Sequence, residues 1–389
     1  MQIYVVQPGD NVDRIAAESG TPVETIIYDN QIEYPYRLAV GQALLLRDGG
    51  EQTAETRTPL YVSGYAYPFI DREVLEETLQ WLTAIYVFSY GFTAEGKLIP
   101  PETDDGPVIE AALRAGVRPV LTLTPLGDDG RFNNNLVTVL TGSPELQRTL
   151  ILELGRVMQG KGYEGLDIDF EYVRAEDREG FARFVERTTR VMNLLGYPVS
   201  VALAPKTSGD QPGLLYEGMD FRLLGAAANR TLLMTYEWGY TYGPPMAVAP
   251  LNMVRRVVGY ALTEIPAAKL SLGIPNYGYD WPLPYECGVT RAQTINKQEA
   301  LRLAIDHGVA IQFDEIAMSP WFRYWQYGVQ HEVWFEDPRS QYAKFMRIKE
   351  YGLSGVGYWQ LMNYDRANWL LLNELFEAEA GKNLTIGLR

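Results

Sequence analysis

The chain has 389 residues, 47% of them hydrophobic, and a formal net charge of −15 at neutral pH. That length and composition allow one large buried core with something small beside it, and the acidic balance argues against nucleic acid or an anionic membrane as the main partner. A single cysteine, Cys287, excludes a disulfide framework within the chain, and only two histidines, His307 and His331, argue against a zinc centre or a Ser-His-Asp triad.

Residues 1–47 read as strand, helix, helix, strand. Met1-Gln2-Ile3-Tyr4 has neither the basic nor the apolar region of a secretory leader. Ile3-Tyr4-Val5-Val6 is a short β run, and Pro8-Gly9-Asp10-Asn11 turns the chain. Asp10 or Asn11 can cap a helix through Val12, Ile15 and Ala16 that Gly20 ends. A second helix is predicted from Pro22 to Tyr28, and Ala43-Leu44-Leu45-Leu46 is the closing strand. The series Tyr4, Val6, Gly9-Asp10, Val12, Ile15-Ala16, Gly20, Asn30, Leu38, Gly41-Gln42 and Leu44 resembles a LysM module. The resemblance implies a groove for glycans containing N-acetylglucosamine between two loops, at Gly9, Asp10, Asn11 and Val12 and at Asn30, Gln31 and Ile32. Asn11 stands where such modules usually carry Thr. The polar, Gly-containing segment 48–58 reads as a linker.

From residue 59 onward, short apolar runs alternate with helical patterns. The strands are predicted at Tyr61–Tyr67, Ala84–Tyr90, Arg118–Thr124, Gly165–Glu171, Ser200–Pro205, Leu232–Tyr236, Leu270–Pro275 and Gly355–Leu361. Helices are predicted over 71–82, 105–115, 144–160, 176–195 and 250–262. Eight near-continuous apolar strands alternating with helices define an α/β fold of the (β/α)8 TIM-barrel type, residues 59–389. A doubly wound sheet is the competitor, but no Gly-x-Gly-x-x-Gly follows the first strand. Residues 278–339 are surplus between strand 7 and its helix, carry Trp321, Tyr324, Trp325, Tyr327 and Trp334, and read as a small inserted α+β subdomain walling a cleft.

The stretch Gly165-Leu166-Asp167-Ile168-Asp169-Phe170-Glu171 carries the chemistry. Read with period 2, it puts Leu, Ile and Phe on one face and three carboxylates on the other. Crowding and burial raise carboxyl pKa values, so at least one acid should hold a proton near neutrality, as a general acid requires. Barrel catalytic groups lie at the C-terminal strand ends, which places Asp167 deepest and Glu171 at the mouth. A divalent-cation site is the alternative, but no second acidic cluster accompanies the run.

Gly165-x-Asp167-x-Asp169-x-Glu171 closely resembles the signature of glycoside hydrolase family 18. Met234-Thr235-Tyr236-Glu237 and Trp359 match the family's motifs on strands 6 and 8. The resemblance implies a retaining hydrolase whose nucleophile is the substrate's own 2-acetamido oxygen. It implies Glu171 as general acid and base, Asp169 orienting the acetamido group, Asp167 sharing a proton with Asp169, and Tyr236 bonding the acetamido carbonyl. Trp359 would be the floor under the reacting sugar. Glu164 and Glu237 replace aspartates of the family pattern, and the longer Glu237 alters the pocket around it. Asn276 and Tyr277 close strand 7 and are candidates for lining the cleft. Trp238, Trp325 and Trp334 are open between stacking platforms for flanking sugars and subdomain core.

Residues 234–245, 274–278 and 331–337 are similar to the LysM-bearing, spore cortex-lytic N-acetylglucosaminidases within that family. The implied partner is peptidoglycan, or another N-acetylglucosamine-containing glycan, at the spore coat, cortex or cell wall. A monomer is expected, with no cofactor, no metal, no nucleic acid and no membrane. Chitinase action of the same chemistry and a non-hydrolytic lectin are the alternatives. Inert members typically lose the terminal Glu, and Glu171 is present.

Overall fold

The structure, a computed structural model, describes residues 1–47, 57–127 and 130–381. The first 47 residues build β1 (Gln2–Val5), α1 (Val12–Ser19), α2 (Val23–Asp29) and β2 (Ala43–Leu46), with β1 and β2 paired antiparallel. Asn11 caps α1 by accepting from Arg14 N, and Gly20 ends it in the left-handed region at φ 73°. Val6, Val12, Ile15, Ile26, Ile32, Leu44 and Leu46 form the module's small core. Most of the expected linker, up to residue 56, lies outside the described residues, and Thr58 already belongs to the next strand.

Eight parallel strands then close into a barrel, as expected. They are β3 (Thr58–Ala66), β4 (Ala84–Phe92), β6 (Arg118–Leu123), β7 (Gly165–Ile168), β8 (Val199–Leu203), β9 (Arg230–Leu233), β10 (Leu270–Pro275) and β16 (Gly355–Trp359), with the β3–β4 pairing completing the ring. A short β5 (Leu98–Ile99) flanks β4, and β17 (Phe376–Ala378) lies beside β3. The outer layer holds α3 (Arg72–Leu79), α4 (Gly106–Ala115), α5 (Asn134–Gly142), α6 (Pro144–Lys161), α7 (Arg178–Leu194), α8 (Phe221–Ala227) and α9 (Leu251–Glu264).

Between β10 and the barrel helix α11 (Pro338–Tyr351) the chain folds a five-stranded antiparallel sheet. It comprises β11 (Gly278–Leu283), β12 (Gln293–Ile295), β13 (Gln312–Asp314), β14 (Ser319–Gln326) and β15 (Val329–Trp334), in the order β12-β11-β15-β14-β13. Helix α10 (Lys297–Asp306), capped by a reciprocal Asn296–Glu299 box, covers one face; α12 (Arg366–Leu375) completes the barrel. Among the described residues no helix is long and apolar enough to cross a membrane.

The N-terminal module is docked on the rest of the molecule. Leu45 lies in the main core and Ala39 in the core of the inserted sheet. Ile311 N donates to Val40 O at 2.8 Å. A Cβ on Gly41, which sits at φ 83°, would stand 2.0 Å from Ile311 O, so only glycine permits this approach. Arg366 lies 3.8 Å over the Tyr28 ring and donates to Tyr28 O. Gln31 spans the loop before α12, donating to Tyr364 O and accepting from Arg366 N at 2.8 Å.

Candidate active site

Packing on the outer side of β7 decides which way its acids point. Leu166, Ile168 and Phe170 are all 1% exposed or less, and Phe170 stacks on Phe181 at 5.4 Å and on Phe92 at 5.8 Å. Alternation then drives Asp167, Asp169 and Glu171 inward. The parallel ladder ends at Ile168, three residues short of the predicted strand end, and Asp169 N makes one more bond to Leu123 O. The three acids thus rise in steps from barrel interior to mouth.

Asp167 is fully buried, with Ser200 Oγ donating to Oδ1 at 2.6 Å and Tyr65 OH to Oδ2 at 2.9 Å. Burial pushes its carboxyl up to about 7 against those two bonds. Asp169, 5% exposed, has a buried Oδ1 with no hydrogen-bond partner. Burial first, then the Glu171 and Asp167 charges, hold its carboxyl well above the usual range. Glu171 is pushed up to about 7 by burial and by the Glu237 carboxylate. Near neutrality this stack cannot be fully ionised, and its protons belong to the group rather than to one residue.

Tyr236 follows β9, whose ladder stops at Leu233, and is 7% exposed. Its ring fits because residue 273 is glycine, where a Cβ would come within 2.8 Å of Tyr236 Cε1. Glu237 is a non-glycine residue at φ 67°, in the left-handed region, a strain held by its surroundings. Tyr277 OH donates to its Oε1 at 2.6 Å and Tyr279 OH at 2.9 Å, while burial raises its carboxyl. Trp359, at the end of β16, meets Phe88 edge-on at 5.0 Å and Tyr65 at 5.5 Å.

Asp169, Glu171, Tyr236, Glu237, Trp238 and Trp359 line one cavity of about 560 Å³, together with Tyr65, Tyr67, Phe88 and Tyr240. Asp167 lies beneath it, bonded to Tyr65. Tyr277 acts one step back, through Glu237. Asn276 is not among the residues lining this cavity: its N donates to Trp359 O at 3.0 Å, its Nδ2 to Gln360 O at 3.4 Å, and its carbonyl accepts from Asn363, so it braces the Trp359 loop. Tyr65 and Ser200 were not singled out in the sequence. Ser200 is a single polar residue on an apolar strand and Tyr65 ends the alternating series Tyr61, Ser63, Tyr65, and only barrel closure brings them to Asp167. Among the described residues no His, Cys, Asp and Glu cluster could hold a metal ion.

The residues predicted as the module's glycan groove are mostly engaged in its own fold. Asp10 accepts from Gln7 N and Tyr4 OH, each at 2.7 Å, after the turn at Gly9, and Asn11 caps α1. Val12 and Ile32 are core. Asn30 is 4% exposed and bridges Ile26 O and both backbone groups of Leu45. Gln31 is spent on the barrel.

A run of buried carboxyls of raised pKa, opening into an aromatic-walled cavity at the C-terminal mouth of a (β/α)8 barrel, fits the general-acid chemistry of a glycoside hydrolase, and the comparisons with known proteins show that class. Residues 127–365 match the family model for glycosyl hydrolases family 18, and residues 4–47 match the LysM domain. The chain belongs to glycosyl hydrolases family 18. It is 36% identical to the cortical fragment-lytic enzyme of Bacillus subtilis (strain 168), over 97% of this chain and 98% of that one. Its fold superposes on the Bacillus cereus spore cortex-lytic enzyme SleL with a TM-score of 0.93 at 29% identity, covering 98% of this chain and 99% of that one. The Bacillus megaterium QM B1551 SleL gives 0.90 at 30% identity, with 97% and 99% covered.

Proposed function

We propose that the protein cleaves β-1,4 bonds after N-acetylglucosamine in peptidoglycan, that of the spore cortex, by a retaining, substrate-assisted route. The observation that carries the reading is the step from buried Asp167 through Asp169 to Glu171 inside the aromatic cavity. Glu237, the cavity-lining carboxylate outside this run, is held by two tyrosine hydroxyls, which fits a route whose nucleophile comes from the substrate. Similarity to enzymes named for cortex lysis supports the choice of polymer.

In this scheme Trp359 is the apolar floor under the reacting sugar, and Tyr236 donates to its acetamido carbonyl. The free Oδ1 of Asp169 accepts the acetamido N–H, which turns the carbonyl oxygen towards the anomeric carbon. That oxygen forms a bond to the carbon as the glycosidic bond breaks, and Glu171 gives its proton to the departing oxygen. Positive charge develops on the oxazolinium ring beside Asp169, where water is scarce and fixed charge acts strongly. The Glu171 carboxylate then takes a proton from water. The hydroxide equivalent adds to the anomeric carbon, the ring opens, and configuration is retained.

Mass spectrometry of products from cortex tests the bond cleaved. Reducing-end N-acetylglucosamine is the expected product, and reducing-end muramic acid would mark a muramidase instead. Substrate stripped of N-acetyl groups should not be cut; equal rates on it would remove the nucleophile from the scheme.

A further inference from the structure

The inserted sheet holds an aromatic face that the catalytic scheme leaves unused. Strand register puts Tyr279, Trp334, Trp321 and Gln312 in one cross-strand row, Trp281, Glu332 and Arg323 in the next, and Leu283, Gln330 and Trp325 in a third. Directly paired residues project to the same side. This face therefore carries four of the chain's eight tryptophans. The opposite face, with Phe322, Tyr324 and Val333, forms a closed core with Ala300, Leu301 and Ala304 of α10, so the tryptophans are not needed there.

The face is covered at one end and open at the other. Beside the catalytic cavity, Tyr279 reaches Glu237, and Trp281 is fully buried with its indole N–H donating to Gly243 O at 2.8 Å. Two strands further, Trp325 is 63% exposed and Trp321 and Arg323 reach solvent. The open end is held rigid. Trp321 and Trp334 stack at 5.6 Å with 17° between planes, Trp334 Nε1 donates to Glu332 Oε1, and Arg323 bonds Glu332 Oε2 at 2.7 Å. An indole that reaches solvent while locked in place, as Trp321 is, presents flat apolar surface at little ordering cost on binding, and Trp325 adds a freer one beside it.

We infer that this face is a remote binding platform for a β-1,4-linked, N-acetylated glycan strand. It holds sugars of the same polymer whose bond lies at Glu171, an assignment that rests on the proposed hydrolase reading. Pyranose rings in such a strand have apolar C–H faces that stack on indoles and a polar rim that suits Arg323, Gln312 and Gln330. From Tyr279, buried behind the cavity-lining Glu237 that its hydroxyl bonds, to Trp321 is two strand spacings, about 10 Å, a reach that a strand several sugars long can span.

The test uses full-length protein. In a Glu171→Gln background, Trp321→Ala with Trp325→Ala should weaken co-sedimentation with intact sacculi about tenfold, the worth of one good stacking contact. In the wild-type background the same pair should leave kcat/KM on a short soluble chitooligosaccharide within about twofold and lower the rate on sacculi about tenfold. Trp325→Phe, which keeps an aromatic surface, should restore most of the binding. Unchanged sedimentation of the double variant would overturn the platform, as would an equal loss on the short substrate. Failure of the catalytic reading looks different: wild-type protein would then cut neither substrate, while sedimentation would still respond to the two tryptophans.

Discussion

Replacing Glu171 by Gln keeps the size and polarity of the side chain and removes its proton. The Glu171 carboxyl stands at about 7, against an ordinary 4.5. The stack therefore still carries protons near pH 7, where an unperturbed glutamate would hold one in roughly one molecule in 300. General-acid assistance is worth about 10²–10⁴-fold, so kcat on cortex fragments should fall at least a hundredfold while substrate affinity changes little. In the wild type, kcat/KM should fall tenfold per pH unit above about 7 as the acid form disappears. The same shift acts on stability. A folded-state pKa raised above the unfolded value means that the folded protein binds more protons between pH 4.5 and about 7, so stability falls as pH rises through that window. At about 1.4 kcal/mol per pH unit the full cost is about 3.5 kcal/mol, and the partial exposure of Glu171 at the cavity mouth lowers it to about 2 kcal/mol. Glu171→Gln cannot ionise. It should therefore be about 2 kcal/mol more stable than wild type at pH 8 and nearly equal at pH 4, measured by denaturant unfolding. Wild-type-like turnover, or a stability difference independent of pH, would refute the reasoning.

Three further outcomes follow from the same geometry. Deleting residues 1–47 should reduce retention on sacculi and also lower the melting temperature of the remaining barrel, because Leu45 and Ala39 leave two cores; an unchanged melting temperature would dissolve the docking argument. Ser200→Ala removes one of two bonds that favour charged Asp167, so its carboxyl should rise further and kcat should fall without loss of fold. Carboxyl-selective NMR titration checks the direction, and a lowered value would contradict it. Tyr277→Phe with Tyr279→Phe strips Glu237 of its donors and should raise its carboxyl, moving it towards the neutral form; a pH–rate profile identical to wild type would show that Glu237 does not act on Glu171.

What the sequence could tell depended on whether position alone encodes the contact. The alternation Leu166-Asp167-Ile168-Asp169-Phe170-Glu171 predicts an inward acid face, and the packing of Phe170 on Phe181 enforces it. The same pattern overruns the strand, since alternation persists to Glu171 while the ladder ends where β6 ends, near Leu123. Helix starts were legible, those predicted at 71, 105, 144 and 250 falling within one residue of Arg72, Gly106, Pro144 and Leu251. Ser200 was not, because one polar residue on an apolar strand carries no periodic signal, and the alternation Tyr61, Ser63, Tyr65 shows a shared face without showing which acid that face meets. The docking of the module was equally hidden: Gln31 and Arg366 are 335 residues apart, and nothing in either residue's neighbourhood marks it as an interface.

Gln31 grips the loop that begins directly after Trp359, while Lys297 of α10 and Gln341 of α11 both hold Asp365 in that loop. The LysM module, the inserted subdomain and the rim of the catalytic mouth are therefore keyed to one short stretch of chain. Exchanging the module for a relative's by cutting only at residues 48–56 would leave that key without its lock. A working chimera would have to carry residues 360–366 and the start of α10 along with the transplanted piece.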